Sequence, residues 1–241
     1  IKELNEWPDW LEAVQNAHAP QSLADVSPQN KTRERLAYDE LLAHQTTLAI
    51  ARARRQKKKG VVTKSEGKLQ SKVRAGLPFR LTGAQERTIR DIQADMAAPI
   101  RMNRLLQGDV GAGKTRVAFF AMLTATEVGG QSVMMAPTEL LARQHLAALQ
   151  PLAEKAGVVL EILTGRDKGK ERQAKLKALA ENKIQILVGT HAVFQKDVAY
   201  ADLRLAIIDE QHRFGVRQRM ELGAKNAAVD VLVMTATPIP R

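Results

Sequence analysis

From residue 104 onward the chain alternates short apolar runs with helix-length amphipathic stretches, and this alternation restricts the fold more than any other feature. The runs Leu105–Leu106, Val133–Met135, Val158–Leu163, Ile184–Val188, Leu205–Ile208 and Val231–Met234 read as strands, while helices are expected near 114–128, 138–156 and 168–182. Such an order predicts an α/β fold, a parallel sheet covered by helices. Sheets of that kind bind ligands beyond the carboxyl ends of their strands, and the segments richest in chemistry fall there.

Upstream, the pattern is different. After Ser27-Pro28, a capping residue followed by a proline suited to a first helical turn, Tyr38, Leu41, Gln45, Leu48 and Arg52 recur at helical spacing, widened by Leu42 and Ala49. A long helix is expected over this segment, with residues 1–50 forming a helical unit. Residues 51–77 are expected to be a basic linker or loop, with three glycines and little periodicity. Thr82 followed by Gln85 three residues later forms a capping box, and Ile89, Ile92 and Met96 continue at helical spacing. The compact domain is therefore placed at 78–241.

Composition narrows the function classes. With 241 residues and 44% hydrophobic content the chain can bury a sizeable core. The absence of cysteine excludes disulfides and thiolate metal sites, and the five histidines show no paired ligand spacing. No apolar run approaches a membrane-spanning length and the N-terminus has no signal pattern, so a soluble, cytoplasmic protein with no membrane partner is expected. The net charge of +11 is local, because residues 51–80 hold eleven Lys or Arg against Glu66 alone. A solvated linker and an electrostatic contact with duplex DNA both account for it. No aromatic interleaves the charges before Phe79, so base stacking is not indicated.

Two segments carry the chemistry. Gly108-Asp109-Val110-Gly111-Ala112-Gly113-Lys114-Thr115 fits G-x-x-x-x-G-K-[ST] between a strand and a helix. Gly108, Gly111 and Gly113 allow backbone N–H groups to turn around phosphates, Lys114 reaches the β and γ phosphates, and Thr115 offers Mg²⁺ a neutral oxygen. The strand Leu205–Ile208 ends in Asp209-Glu210. Asp209 is placed to hold Mg²⁺ through water, and Glu210 to polarise an attacking water. ATP and Mg²⁺ are the cofactors these residues imply.

Several further segments resemble those of one family. Asp209-Glu210-Gln211-His212-Arg213-Phe214-Gly215-Val216 and Met234-Thr235-Ala236-Thr237-Pro238 are similar to motifs II and III of the RecG branch of superfamily-two helicases. Leu81-Thr82-Gly83-Ala84-Gln85 resembles its adenine-reading segment, and Ala136-Pro137-Thr138 through Arg143-Gln144-His145 its motif Ia. Gln211 and the methionine of Met234-Thr235-Ala236-Thr237 favour this branch over the transcription-repair coupling translocases, which remain the alternative.

The resemblance implies a RecA-like P-loop NTPase lobe in an ATP-dependent DNA helicase that acts on branched DNA, such as stalled forks and Holliday junctions, in recombination and repair. It implies an adenine contact for Gln85, which its capping role explains equally well. Thr138, Arg143, Thr164, Thr190 and His191 would meet DNA, and Gln211, His212, Thr235 and Thr237 would couple nucleotide state to movement. His212 has a plainer reading as a satisfied interface histidine. A second RecA-like lobe and a wedge domain are expected as further partners, residues 1–50 forming the connection to the wedge. Two rival classes are a P-loop regulatory module, which leaves Gly189-Thr190-His191 and Thr235-Ala236-Thr237 without a task, and a non-enzymatic basic DNA-binding protein, which leaves the P-loop accidental.

Overall fold

The computed structural model describes residues 2–56, 59–210 and 228–236, the side chains of 54–56 excepted. The chain divides into two compact units, Ile1–Lys57 and Lys58–Arg241.

The first unit is helical, with α1 (Lys2–Asn5), α2 (Trp10–His18) and α3 (Lys31–Gln56). Trp7 packs on Tyr38 with ring centroids 5.0 Å apart and donates its indole N–H to Glu34 at 3.2 Å. The long helix begins at Lys31, later than the Ser27-Pro28 signal predicts, because Asn30 Oδ1 accepts the backbone N–H of Thr32 at 2.9 Å and acts as the cap. Its expected apolar stripe is open to solvent: Leu41 and Leu42 are 63% and 49% exposed. The nine residues of α2 can cover only part of a helix of 26.

In the second unit α4 (Lys68–Ala75) and α5 (Gly83–Met96) precede β1 (Asn103–Gln107). Then come α6 (Lys114–Glu127), β2 (Gln131–Met135), α7 (Glu139–Ala156), β3 (Leu160–Leu163), α8 (Gly169–Ala180), β4 (Ile186–Gly189), β5 (Leu203–Asp209) and β6 (Asp230–Thr235). Among the described residues the six strands form one parallel sheet in the order β1-β6-β5-β2-β4-β3. No described helix is long and apolar enough to cross a membrane.

Alternation along the strands decides which face each side chain joins. Leu205 and Ile207 of β5, Met134 of β2, Leu232 and Met234 of β6, and Ile186 and Val188 of β4 enter one core with α4, α5, α6 and α7. Their neighbours Ala206, Ile208, Val133, Val231, Val233 and Leu187 enter a second core on the other face, with Leu179 of α8 and Phe194. Phe119 and Phe120 of α6 are fully buried. Each contributes roughly 1.5–3 kcal/mol by burial, so the helix that follows the glycine-rich loop is held firmly against the sheet.

The expected boundary at residue 78 is corrected by the structure. The expected linker includes the end of α3 and the whole of α4, and residues from Lys58 onward belong to the α/β unit. Gly60 N–H donates to Pro99 O at 3.0 Å and Thr63 N–H to Met96 O at 2.8 Å, which ties the segment to the end of α5. Buried Gln70 on α4 donates to Phe120 O at 2.8 Å and Thr124 Oγ1 at 2.9 Å, both on α6, and accepts from Gln93 Nε2 of α5 at 3.1 Å. A buried amide with three partners anchors α4 where its few apolar residues could not.

Two other buried polar side chains brace the amino-terminal edge of the sheet. Gln131 donates to Leu179 O at 2.8 Å and Ile184 O at 2.7 Å, while its Oε1 accepts the N–H groups of Ala201 at 2.7 Å and Asp202 at 3.2 Å. Asp230, only 2% exposed, accepts Met102 N–H at 2.7 Å. Burial pushes its carboxyl up to about 7, against the opposing effects of the Met102 hydrogen bond and Arg101. A raised carboxyl favours the protonated folded state, so the contribution of Asp230 to stability is greatest at low pH. It falls as pH rises from the ordinary carboxylate range through about 7, by at most about 4 kcal/mol. Asp230→Asn keeps the acceptor and removes the ionisation. Urea melts of both proteins between pH 4.5 and 8 should diverge with rising pH in the variant's favour; parallel profiles would contradict the assignment.

Candidate functional site

The carboxyl ends of β1, β6 and β5 assemble one cluster. In register, Gln107 of β1 lies beside Thr235 of β6, and Met234 beside Asp209 of β5, with strands about 4.8 Å apart. The glycine-rich loop leaves β1 at Gly108, whose N–H donates to Thr235 O at 3.4 Å. The loop is thus tied to the strand that carries the Met234-Thr235-Ala236 segment.

Within the loop Gly111 and Gly113 adopt left-handed φ values of +83° and +82°. Gly113 also meets a close neighbour, since a Cβ there would lie 2.5 Å from Gln85 Nε2. Gly113 is the N-cap of α6 and provides no side-chain cap, so the first-turn N–H groups and the positive end of the helix face the loop. Lys114 Nζ lies over the hollow, donating to Gly108 O at 2.6 Å and Asp109 O at 2.8 Å. Thr115 follows on the first turn of α6. Inward-turned glycine backbone, an uncapped helix start, one ammonium and one hydroxyl form a donor set that fits a triphosphate with its magnesium ion.

Gln85 has both the capping role and a link to this loop. Its Oε1 accepts Thr82 N–H at 2.9 Å, its own N–H donates to Thr82 Oγ1 at 3.2 Å, and its Nε2 donates to Ala112 O at 2.9 Å. Beside it, the Arg116 guanidinium stacks over the Phe79 ring at 4.5 Å. Phe79 is 41% exposed, so this pair offers a flat surface next to the Gln85 amide.

Asp209 has the parity of Leu205 and Ile207, so it projects to the face of α6 and α7. There its Oδ2 lies 2.7 Å from Nε2 of His145 on α7, with both side chains nearly buried. Glu210 follows with φ +53°, a left-handed conformation that costs an L-residue about 1 kcal/mol or more, while its N–H donates to Met234 O at 3.0 Å. The reversal turns Glu210 out of the alternation that directs Asp209. Strain of this kind on a carboxylate at a strand end is a signature of functional sites.

The other half of the carboxyl edge, at β2, β4 and β3, holds the residues expected to meet nucleic acid. Thr138 follows β2 and caps α7, its Oγ1 accepting Leu141 N–H at 3.3 Å. Arg143 is exposed and donates through Nε and Nη2 to Glu139 Oε1 at 3.0 and 2.9 Å. Arg166 pairs with the other oxygen of Glu139 at 3.1 Å and is 81% exposed. Thr190 is buried after β4, and His191 is exposed at the start of a short 3₁₀ turn, His191–Phe194. Gly189 must be glycine, because a Cβ would lie 2.0 Å from Leu163 O of the neighbouring strand.

Thr164 departs from expectation. It is 1% exposed, its hydroxyl donates to Asp167 at 3.1 Å and its N–H to the same carboxylate at 2.6 Å. It shapes a turn and presents no hydroxyl to a strand. Burial pushes the Asp167 carboxyl up, but its pair with Lys175 at 2.7 Å and the two Thr164 bonds together outweigh this and hold it below the usual range. The basic stretch is likewise partly engaged inside the fold. Arg74 pairs with Glu86 and lies 4.7 Å over Phe120, and Lys72 donates to Ala156 O at 3.3 Å at the end of α7, whereas Lys68 pairs with Glu66 at the exposed surface. Lys59, Lys64 and Arg80 are exposed. Gln211, His212 and Thr237 lie outside the described residues.

Sequence reasoning did not foresee His145, the Phe79–Arg116 stack or the Arg166–Glu139 pair. All three join segments that only the folded sheet brings together; the histidine closing the Ala136–His145 segment was the single available signal.

A glycine-rich loop after β1, a strand-end acid pair and a parallel sheet define the class as a P-loop α/β lobe. Residues 82–241 match the DEAD/DEAH box helicase family, and the chain belongs to it. It is 46% identical over 242 residues to the ATP-dependent DNA helicase RecG of Bacillus subtilis (strain 168), covering 100% of this chain and 35% of that protein. RecG of Escherichia coli (strain K12) is 43% identical over 238 residues, covering 95% of this chain and 34% of its own length. The solved structure of RecG bound to a three-way DNA junction matches with a TM-score of 0.73 at 42% identity, over 87% of this chain and 28% of that one. The sheet and its helices are thus a RecA-like helicase lobe, and the chain spans about a third of the length of the curated relatives it matches.

Lys114→Ala removes the charge over the loop. Titration with a fluorescent ATP analogue should show affinity reduced about tenfold or more, the worth of a charge-assisted contact of roughly 1.5–3 kcal/mol. Unchanged affinity in a folded variant would remove the loop from the phosphate site.

Proposed function

We propose that this chain is the ATP-binding lobe of an ATP-dependent DNA helicase or translocase that acts on branched DNA in recombination and repair. The observation that supports this most strongly is the shared carboxyl edge. A phosphate loop and two strand-end carboxylates occupy its β1-β6-β5 half, and residues suited to a phosphodiester backbone occupy its β2-β4-β3 half. The named relatives are DNA helicases, and the matched RecG structure is of that protein bound to a three-way DNA junction.

In this reading Lys114 and the loop N–H groups bind the β and γ phosphates, while Gln85 with Phe79 and Arg116 receives the adenine. Thr115 and Asp209 hold Mg²⁺, which supplies charge neutralisation on the phosphates when bound. Glu210 orients the attacking water and accepts its proton at the carboxylate. Thr138, Arg143, Thr190 and His191 are assigned to DNA phosphates, joined by Arg166 and by the exposed Lys59, Lys64 and Arg80. Thr164 supports them by shaping the β3 turn. Gln211, His212, Thr235 and Thr237 are assigned to coupling, which the Gly108–Thr235 hydrogen bond supports.

A second RecA-like lobe and a wedge domain complete the machine in a protein of the relatives' length. An arginine from the second lobe would stabilise charge on the γ phosphate, and loss of such a group lowers turnover by about 10³–10⁵ in related hydrolases. Steady-state ATPase assays test this on the 241-residue chain and on a protein of the relatives' length, each with and without forked DNA. Slow, unstimulated hydrolysis by the chain and fork-stimulated hydrolysis by the longer protein are expected. Robust fork-stimulated turnover by the chain alone would contradict the division of catalytic groups.

A further inference from the structure

The hydrogen bond between His145 and Asp209 joins the two halves of the carboxyl edge. Asp209 ends β5 in the nucleotide half, whereas α7 starts after β2 in the other half, is capped by Thr138 and carries Arg143 near its start. The two residues stand 64 positions apart in sequence and meet at 2.7 Å. The roles in this bond depend on the histidine tautomer; a carboxylate in the form that binds a metal can only accept, which in that state places the proton on His145 Nε2.

Both ends of this bond are rigid. Asp209 is paired in register with Met234, and the next N–H, that of Glu210, donates to Met234 O at 3.0 Å. On α7, Ala142, Leu149, Leu152 and Ala153 are buried in the core that also holds Ile207. The side chains are only 12% and 11% exposed, so water cannot readily replace either partner.

We propose that His145 is a positioning residue for the metal-binding carboxylate. By occupying Asp209 Oδ2 it fixes the carboxylate plane and leaves Oδ1 for the magnesium shell. It also makes the orientation of Asp209 depend on the placement of α7, the helix whose first turns are assigned to DNA. The inference rests on the nucleotide reading of the site. Outer hydrogen bonds of this kind typically change metal affinity by about 10–100-fold when removed.

The test is the gain in affinity for a fluorescent ATP analogue on adding Mg²⁺, measured against the same titration in EDTA. In His145→Leu the gain should fall about tenfold or more. His145→Gln, which can place an amide N–H near the position of Nε2, should recover most of it. A full gain in His145→Leu overturns the proposal, as does an equal loss of affinity with and without metal. If His145→Leu does not fold, ¹⁵N-histidine NMR of the wild-type chain decides: the Nε2–H tautomer at His145 supports the proposal and the Nδ1–H tautomer overturns it. A wild-type chain that binds the analogue but gains nothing from Mg²⁺ overturns the proposal alone. One that binds no analogue overturns the nucleotide reading and the proposal with it.

Discussion

Two-residue alternation in a parallel sheet is the constraint on which the site depends. Because Leu205 and Ile207 enter the core shared with α6 and α7, Asp209 must emerge on that same face. A one-residue slip of β5 against β6 would send it to the opposite side. The pairing of Asp209 with Met234, and of Thr235 with Gln107, fixes the depth at which each strand releases its functional residue. Burial of the strand side chains on both faces enforces the register.

Those same burial forces give the loop its rigidity. Phe119 and Phe120 anchor α6, Gln70 of α4 bonds to carbonyl and hydroxyl groups on its far turns, and Gln85 of α5 braces Ala112 within the loop. The glycine-rich loop is therefore held from three directions: by its helix, by α5 and by Thr235 of β6. Preorganised backbone donors of this sort need little rearrangement to receive charge. Glu210, left-handed just beyond Asp209, shows that the strand end tolerates local strain where the core behind it is strong.

Much of this was legible in the sequence, and the exceptions have physical causes. The strands β2, β4, β5 and β6 were visible because buried parallel strands carry near-continuous apolar runs, β1 and β3 showed through shorter ones, and the Thr82–Gln85 box appears where its spacing places it. Helix α4 was not legible. It buries Gln70 and Val73, too short a pattern for periodicity to detect, and its anchor is an amide that reads as a surface residue. Gln131 was hidden for the same reason, polar in sequence yet fully buried with four hydrogen bonds. Thr164 lay in the expected place after β3, but the nearby Asp167 captures its hydroxyl, a local bond that composition does not reveal. The His145–Asp209 contact depends on how α7 lies on the sheet, which no local pattern encodes.

If the register of β1, β6 and β5 builds one metal-nucleotide site, the loop after β1 and the acid at the end of β5 share a single metal ion. Crystals of the chain grown with Mn²⁺ and a non-hydrolysable ATP analogue test it, because anomalous scattering locates the metal independently of the protein. One strong anomalous peak is expected between Thr115 Oγ1 and the Asp209 carboxylate, with the phosphates inside the Gly108–Thr115 loop. A peak remote from Asp209, or phosphates bound away from the loop, would contradict it.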